Sequence, residues 1–350
     1  MKRFLTLLLA VLMFAAVSLA AVGCGSSNTT TLTLLNWGEY LDPDVLSEFN
    51  STHENIKVVE KKVTSNEEMY AILSTEDNGY DMCVPSDYLV ERMIKEDMLS
   101  EINLDNIPNF KYVKELSDSR TFDEGSKYSI PYMYGTVGIV YNTKLVDDVV
   151  DSWDILWNEK YKGQIMMYDS VRDSMAVALI RLGYDINTTD AKQIEEARDM
   201  LIAQKPLVLA YGTDEIKESM ISGSVALAVD YSGAAVDAIS KNPDLRFVVP
   251  KEGSNIWVDN IVIMKNTKNR EACDEFVNFL CDPEVEAKNS EYIGYTAPSD
   301  EAVKLVDPEL SSVEGYIVTS EQRERCAYYR YLGDALELYY DAWTKVSTSN

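Results

Sequence analysis

The chain has 350 residues, 46% of them apolar, enough for sizeable cores and two domains of ordinary size, which argues against extensive disorder. Its formal charge of −26 repels nucleic acid and anionic lipid headgroups and attracts cations. A single histidine, His53 in the polar stretch 50–55, leaves most metal sites and histidine-based catalytic triads without their parts, so no cofactor, no metal and no enzymatic activity are expected.

The chain opens on Met1-Lys2-Arg3 and continues with the apolar run Phe4–Val22, in which Thr6 and Ser18 are the polar exceptions. A cationic lead, an apolar stretch and small residues at its end describe a secretory signal over 1–23. The run is also long enough to span a bilayer, and a retained anchor is the competing reading. It closes on Ala21-Val22-Gly23-Cys24, which resembles the lipobox of bacterial lipoproteins, with Ala21 where Leu is usual. The resemblance implies cleavage before Cys24 and acylation of its thiol. Residues 24–30 then form a polar tether, and loss of Lys2 and Arg3 takes the charge to about −28.

Past the tether, strand and helix patterns alternate. Thr31–Trp37 reads as a strand, Pro43–Asn50 as a helix and Ile56–Val63 as a strand. Ser65 with Glu68 forms a capping box that opens a helix over Asn66–Ser74. Tyr80–Val84 is a short apolar strand and Tyr88–Glu96 a helix. Such βαβ repetition predicts a parallel or mixed sheet. The alternation resumes with strands at Tyr128–Tyr134 and Val137–Tyr141, separated at Gly135, and at Lys162–Tyr168. Helices follow at Ser174–Leu182, Ile194–Gln204 and Glu215–Ser222, with strands at Leu207–Tyr211, Ser224–Asp230, Leu245–Val249 and Ile256–Met264. Arg270–Cys281 is an amphipathic helix, and Glu321–Val346 reads as one long helix with Tyr328, Leu332, Leu336, Tyr339 and Trp343 on a stripe. Cys273 and Cys281 are too far apart along a helix to pair, and Cys83, Cys273, Cys281 and Cys326 read as buried free thiols. No polar linker divides the chain, which fits two interwoven α/β lobes.

Six segments stand out in order: Asn36-Trp37-Gly38-Glu39-Tyr40; Tyr80-Asp81 to Pro85-Ser86-Asp87-Tyr88; Ile130 to Gly138; Trp153 to Trp157 with Tyr161-Lys162-Gly163; Trp257-Val258-Asp259; and Ile293-Gly294-Tyr295. Together they closely resemble the spermidine/putrescine-binding proteins of bacterial ABC importers, from Thr31 to the C-terminus. The resemblance implies the type II periplasmic-binding-protein fold, with two α/β lobes joined by crossing strands near Gly135–Thr136 and Val258–Asn260. Lobe 1 would comprise 31–135 and 260–305, and lobe 2 would comprise 136–259 and 306–350.

A polyamine is a hydrocarbon chain carrying ammonium groups. A cleft selective for it needs carboxylates for the charges and aromatic faces for the methylenes and cationic ends, the latter giving about 0.5–2 kcal/mol per cation–π contact. The chain holds 22 Tyr and 5 Trp against 8 Phe, a bias compatible with such a cleft. Matched to the family residue by residue, the resemblance implies ligand contacts from Trp37, Glu39, Tyr40, Ser86, Tyr88, Asp169, Asp173, Thr213, Tyr231, Trp257, Asp259, Tyr295 and Tyr329. Gly38, Ser170, Tyr231 and Tyr329 depart from the spermidine-type pattern. Asp87 stands where a neutral residue is common, and it either adds a carboxylate or caps the next helix. Trp257 and Asp259 occupy alternate positions of one strand and so share a face, and an acid in that otherwise apolar strand needs a cationic partner.

The implied mechanism is capture by lobe closure, with delivery of the ligand to permease subunits in the membrane. No phosphate-binding loop occurs after the leader, so a separate ATPase subunit is expected, and the binder itself is expected to be a monomer. The competing readings are a ferric-ion binder using Tyr328-Tyr329 and Tyr339-Tyr340, a hydrolase using two carboxylates, and a sensor or adhesin on the same fold.

Overall fold

The computed structural model describes residues 29–75 and 78–349. The expected leader 1–23, Cys24 and the tether as far as Asn28 lie outside the described residues. Among the described residues nine strands follow in chain order: β1 (Thr30–Trp37), β2 (Ile56–Val63), β3 (Met82–Cys83), β4 (Ser129–Asn142), β5 (Ile165–Tyr168), β6 (Val208–Gly212), β7 (Leu227–Tyr231), β8 (Leu245–Val248) and β9 (Ile256–Ile263). Their lateral order is β2-β1-β3-β9-β4-β7-β5-β6, with β8 also paired to β4. β1, β2 and β3 run parallel, as do β5, β6 and β7, while β4 and β9 run antiparallel to their neighbours in both groups.

β4 joins the two halves. Its residues Ser129–Thr136 pair with β9, and from Val137 onward it pairs with β7 and β8. This is one strand of 14 residues, not two strands separated at Gly135. Gly135 breaks nothing; it admits a ring. A Cβ there would lie 2.7 Å from Trp257 Cζ2 and 2.8 Å from Ser232 Oγ. β9 pairs with β4 from Ile256 onward and with β3 at Val262 and Ile263. The Asn255 carbonyl accepts from the Val137 amide at 3.1 Å, close to the point where β4 changes partners.

The helices that position the cleft are α1 (Pro43–Thr52), α2 (Asn66–Leu73), α3 (Asp87–Lys95), α4 (Phe110–Ser119), α5 (Val171–Arg181), α6 (Ala191–Gln204), α7 (Asp214–Ile221), α8 (Ser232–Lys241), α9 (Arg270–Leu280) and α10 (Pro283–Ile293). α2 starts where expected, with Ser65 Oγ accepting the Glu68 amide at 3.1 Å. Glu68 does not complete the box; its carboxylate reaches one residue further back, to the amide and hydroxyl of Thr64. α5 begins three residues earlier than the apolar pattern suggested, because Ser170 caps it and accepts the Asp173 amide. Two apolar cores flank the β1–β3 group, and a third fills the β5–β7 side around Trp153, Leu179, Leu227 and Tyr339. Cys83, Cys273, Cys281 and Cys326 are all free.

The C-terminal region corrects the single long helix read from its periodicity. It forms α11 (Asp300–Val303), α12 (Pro308–Ser311), α13 (Ser320–Arg325) and α14 (Leu336–Thr348), with an extended stretch between α13 and α14. The backbone of that stretch is claimed from outside. Ala327 exchanges hydrogen bonds with Ser254 and Ile256, Asn187 accepts the Arg330 amide at 2.8 Å, and Gly333 turns the chain with φ 54°. These partners outcompete the i→i−4 ladder. Tyr339 remains on α14 in the core and Leu332 still packs against it, while Tyr328 packs against a core beside the β1–β3 group.

Candidate functional site

A cleft of about 690 Å³ is lined from both strand groups. At one part of its wall stands Asp259, 7% exposed, in the centre of the fully buried strand β9. Tyr40, in the turn after β1, donates its hydroxyl to Asp259 Oδ2 at 2.6 Å. Ser86, which precedes α3, donates to Asp259 Oδ1 at 2.6 Å and is joined to it by a backbone bridge. Burial pushes the Asp259 carboxyl up to about 6, against the lowering effect of the Ser86 and Tyr40 hydroxyls. Asn66, the first residue of α2, sets the geometry of this corner. Its amide nitrogen donates to Ser86 Oγ at 3.1 Å and to the Tyr88 hydroxyl at 2.9 Å, and its oxygen accepts the Ser86 amide at 3.2 Å.

A second carboxylate repeats the pattern. Asp173, in the first turn of α5 and 4% exposed, accepts the Tyr231 hydroxyl on Oδ2 and the Tyr329 hydroxyl on Oδ1, each at 3.0 Å. Every oxygen of both carboxylates thus holds one hydroxyl and keeps acceptor capacity for a ligand N–H. Arg172, beside Asp173, lies 4.3 Å from the Tyr329 ring centre and is held by Asn187 Oδ1 at 2.9 Å.

An unbroken series of edge-to-face aromatic pairs crosses the cleft. Its members are Tyr168–Tyr231 (5.0 Å between ring centres), Tyr231–Trp257 (6.1 Å), Trp257–Tyr295 (4.7 Å) and Tyr295–Tyr40 (6.4 Å). The rings need room that glycine supplies. A Cβ on Gly233, at the start of α8, would lie 2.3 Å from the Tyr295 ring, and one on Gly135 would strike Trp257. The indole N–H groups of Trp37 and Trp257 are buried without a hydrogen-bond partner among the described residues.

Of the residues singled out from sequence, Trp37, Tyr40, Ser86, Tyr88, Asp169, Asp173, Tyr231, Trp257, Asp259, Tyr295 and Tyr329 line this cleft. Glu39 and Thr213 do not. Glu39 takes a left-handed backbone (φ 51°) in the turn after β1, and its side chain is exposed. Thr213 is exposed at the start of α7 and uses its amide to bind Glu215. The sequence reading missed Asn66, Tyr168 and Arg172, which line the cleft as well. The position of Asn66 directly after the Ser65 cap was the one signal available for it. Asp87 is the first residue of α3, with Ser86 in the cap position, and it stands in the cleft wall with its carboxyl buried.

Of the tyrosines read as a ferric site, Tyr329 and Tyr340 line the cleft, while Tyr328 and Tyr339 are engaged elsewhere. Tyr329 donates to Asp173, Tyr328 pairs with Ser119 Oγ at 3.1 Å, and Tyr339 donates to the Thr188 carbonyl at 2.8 Å. Among the described residues no group of three or more His, Cys, Asp or Glu side chains is arranged to hold a metal ion. A separate hollow of about 780 Å³ is lined in part by Thr33, Asp81, Thr267 and Asn269. Its carboxylate is already committed, since Asp81 accepts from the Thr33 amide, the Thr267 hydroxyl and the Asn269 amide.

The profile of the bacterial extracellular solute-binding proteins matches residues 44–314. The spermidine/putrescine-binding periplasmic protein of Salmonella typhimurium is 34% identical over 333 residues, covering 95% of each chain. Among solved structures, the spermidine/putrescine ABC transporter substrate-binding protein of Streptococcus pneumoniae superposes with a TM-score of 0.82 and 35% identity, covering 92% of this chain and 99% of that one. A lipoprotein of Treponema pallidum superposes with a TM-score of 0.82 and 28% identity, covering 90% and 99%. With a profile spanning most of its length, relatives matched end to end, two strand groups bridged by β4 and a cleft between them, the chain belongs to the bacterial extracellular solute-binding proteins of the type II periplasmic-binding fold.

Proposed function

We propose that the protein captures a polyamine, spermidine or putrescine, in this cleft and hands it to an ABC importer. The observation that carries the reading is the pair of buried carboxylates, Asp259 and Asp173, each dressed with two hydroxyls and joined by the aromatic series. Carboxylates in a low-dielectric wall demand cations, and rings between them suit methylene chains, so one ligand that is both cationic and apolar satisfies the cleft. The named relatives bind spermidine and putrescine, which is the same chemistry.

The lobes follow the two strand groups. Lobe 1 takes 31–135 and 260–305, and lobe 2 takes 136–259 and 306–350; support comes from β4, whose first part pairs with β9 and whose residues Val137–Tyr141 pair with β7. Closure of one lobe on the other over the ligand presents the closed form to permease subunits, and a separate ATPase subunit drives import. The binder acts as a monomer, tethered outside the cytoplasmic membrane by acylated Cys24. Among the described residues no helix is long and apolar enough to cross a membrane. Calorimetric titration of the chain from Gly25 onward with putrescine, spermidine and spermine tests the reading. Saturable heat and a raised melting temperature are expected with at least one of them, and neither effect with any of the three overturns it.

A further inference from the structure

Asp87 is the one carboxyl of the cleft wall that is both buried and incompletely satisfied. It is 1% exposed. Its Oδ1 accepts the amide of the next residue, Tyr88, at 2.7 Å, while Oδ2 has no hydrogen-bond partner among the described residues. Asp259 and Asp173, by contrast, receive a hydroxyl on every oxygen.

The groups around Asp87 explain why no internal cation completes it. Asp259 faces it from β9 and repels it; Arg172 attracts it from α5. Tyr88 on its own helix and Tyr328, Tyr329 and Arg330 of the extended C-terminal stretch also feel its charge. Neither arginine is a partner. Arg330 is committed to Glu91, through Nε at 2.9 Å and Nη2 at 3.0 Å; Arg172 spends Nη1 and Nη2 on Asn187 and the Ile186 and Arg330 carbonyls, and its Nε is buried without a hydrogen-bond partner among the described residues, so it makes no bond to Asp87. An anion left with one bare oxygen in such a place is expensive, so the side chain holds either a proton or an external cation.

We propose that Asp87 is a third carboxylate for the ligand, and that it exchanges its own proton for a ligand ammonium, so that capture releases that proton to the solvent. The proposal rests on the polyamine reading. In the free protein the neutral acid is favoured, since burial pushes the Asp87 carboxyl well above the ordinary carboxylate range and Asp259 adds to the push, while the Tyr88 amide, Arg172 and the Val258 amide on β9 lower it. When an ammonium arrives, the O–H bond breaks, the proton leaves to buffer, and Oδ2 accepts an N–H of the ligand as a charge-assisted bond. Asp259, whose carboxyl lies near 6, is already ionised above neutral pH and contributes little to proton release there. Asp87 thereby adds a charge requirement to the cleft, and it ties affinity to pH over a range in which Asp259 no longer changes.

The test is calorimetry of spermidine and putrescine binding in phosphate and in MOPS at pH 7.5, on the wild type and on Asp87→Asn, which keeps the Oδ1 acceptor for the Tyr88 amide. The dependence of the heat on the buffer counts released protons. The wild type is expected to release more protons than the variant, by a difference approaching one, and the variant to bind at least tenfold more weakly, with the gap narrowing toward pH 5. Equal affinity and equal proton counts overturn the proposal and leave Asp87 a helix-start residue. Weaker binding with an unchanged proton count overturns it as well, because a purely structural loss has that signature. The wild-type count stands alone if the variant does not fold, and a count of zero at pH 7.5 is then decisive against it. If neither protein binds any polyamine, the polyamine reading fails and the proposal falls with it.

Discussion

The Tyr40 hydroxyl donates to Asp259 Oδ2 at 2.6 Å, linking residues 219 positions apart in the chain. The bond ties the turn after β1 to the middle of β9, so one corner of the cleft is assembled before any ligand arrives.

Asp259→Asn is expected to weaken polyamine binding tenfold or more, because a charge-assisted contact is lost. The same change is expected to raise the melting temperature of the unliganded protein at pH 7 by about 2–4 °C, the equivalent of about 1 kcal/mol in a domain of this size class. The sign follows from linkage. The folded carboxyl lies near 6, above its unfolded value, so the ionised form disfavours folding, and stability falls as pH rises through that interval. Binding has the opposite dependence and weakens below about pH 6. Paired titrations and thermal melts check both halves, and a variant that loses affinity together with stability contradicts the assignment.

Gly233→Ala places a methyl 2.3 Å from the Tyr295 ring, inside contact distance of the aromatic series. The ring must move, and with it its edge-to-face contact with Trp257. Destabilisation of about 1–3 kcal/mol is expected, as for overpacking of a core. Polyamine affinity is expected to fall by an order of magnitude or so, since each ring loses a partner. Denaturant melts and ligand titration of the same sample measure the two losses.

Glu91 on α3 receives Arg330 through two bonds, at 2.9 and 3.0 Å, together with the Tyr331 amide and Lys95. Although burial opposes it, this set holds the carboxyl down at about 2. The stability it lends is present above the unfolded value of about 4.3 and is lost as pH falls from there toward 2. Glu91→Gln is expected to cost about 1–2 kcal/mol at pH 7, discounted for solvent screening at this partly open rim. It is also expected to flatten the acid limb of the stability curve between pH 4.5 and 2. Urea melts across that range decide, and an unchanged acid limb removes Glu91 from the account.

Cys24→Ser is expected to abolish incorporation of labelled palmitate and to release the protein from the membrane fraction into the medium or periplasm. Mass spectrometry of the wild type is expected to find an acylated peptide beginning at Cys24. An unacylated N-terminus, or a retained Met1, contradicts the anchor.

Much of the site was legible because its residues sit at the ends and alternations of strands, where local pattern and geometry coincide. Trp257 and Asp259 share a face by period two, and an acid within the apolar run Ile256–Ile263 asked for a partner from the start. Trp37 ends β1 and Tyr40 follows it, Ser86 and Tyr88 follow β3, and the parallel pairing of β1 with β3 brings them to one edge. The acidic balance was compatible with a cation without choosing one, and the likeness supplied the ligand class.

What tertiary structure decided are relationships with no local trace. The sharing of Asp173 between Tyr231 and Tyr329 spans 58 and 156 residues, and no periodicity reports it. Tyr329 reaches the cleft only because Ser254, Ile256 and Asn187 hold residues 327–330 extended, against a helical pattern that looked continuous. Glu39 and Thr213 matched a motif and yet face solvent, since one residue of turn geometry redirects a side chain whatever its identity. The sequence by itself therefore determined which chemical groups are available and which strand ends carry them. Long-range hydrogen bonds and the space left by Gly135 and Gly233 decided which of those groups meet, because contacts between distant segments depend on packing that local propensity does not encode.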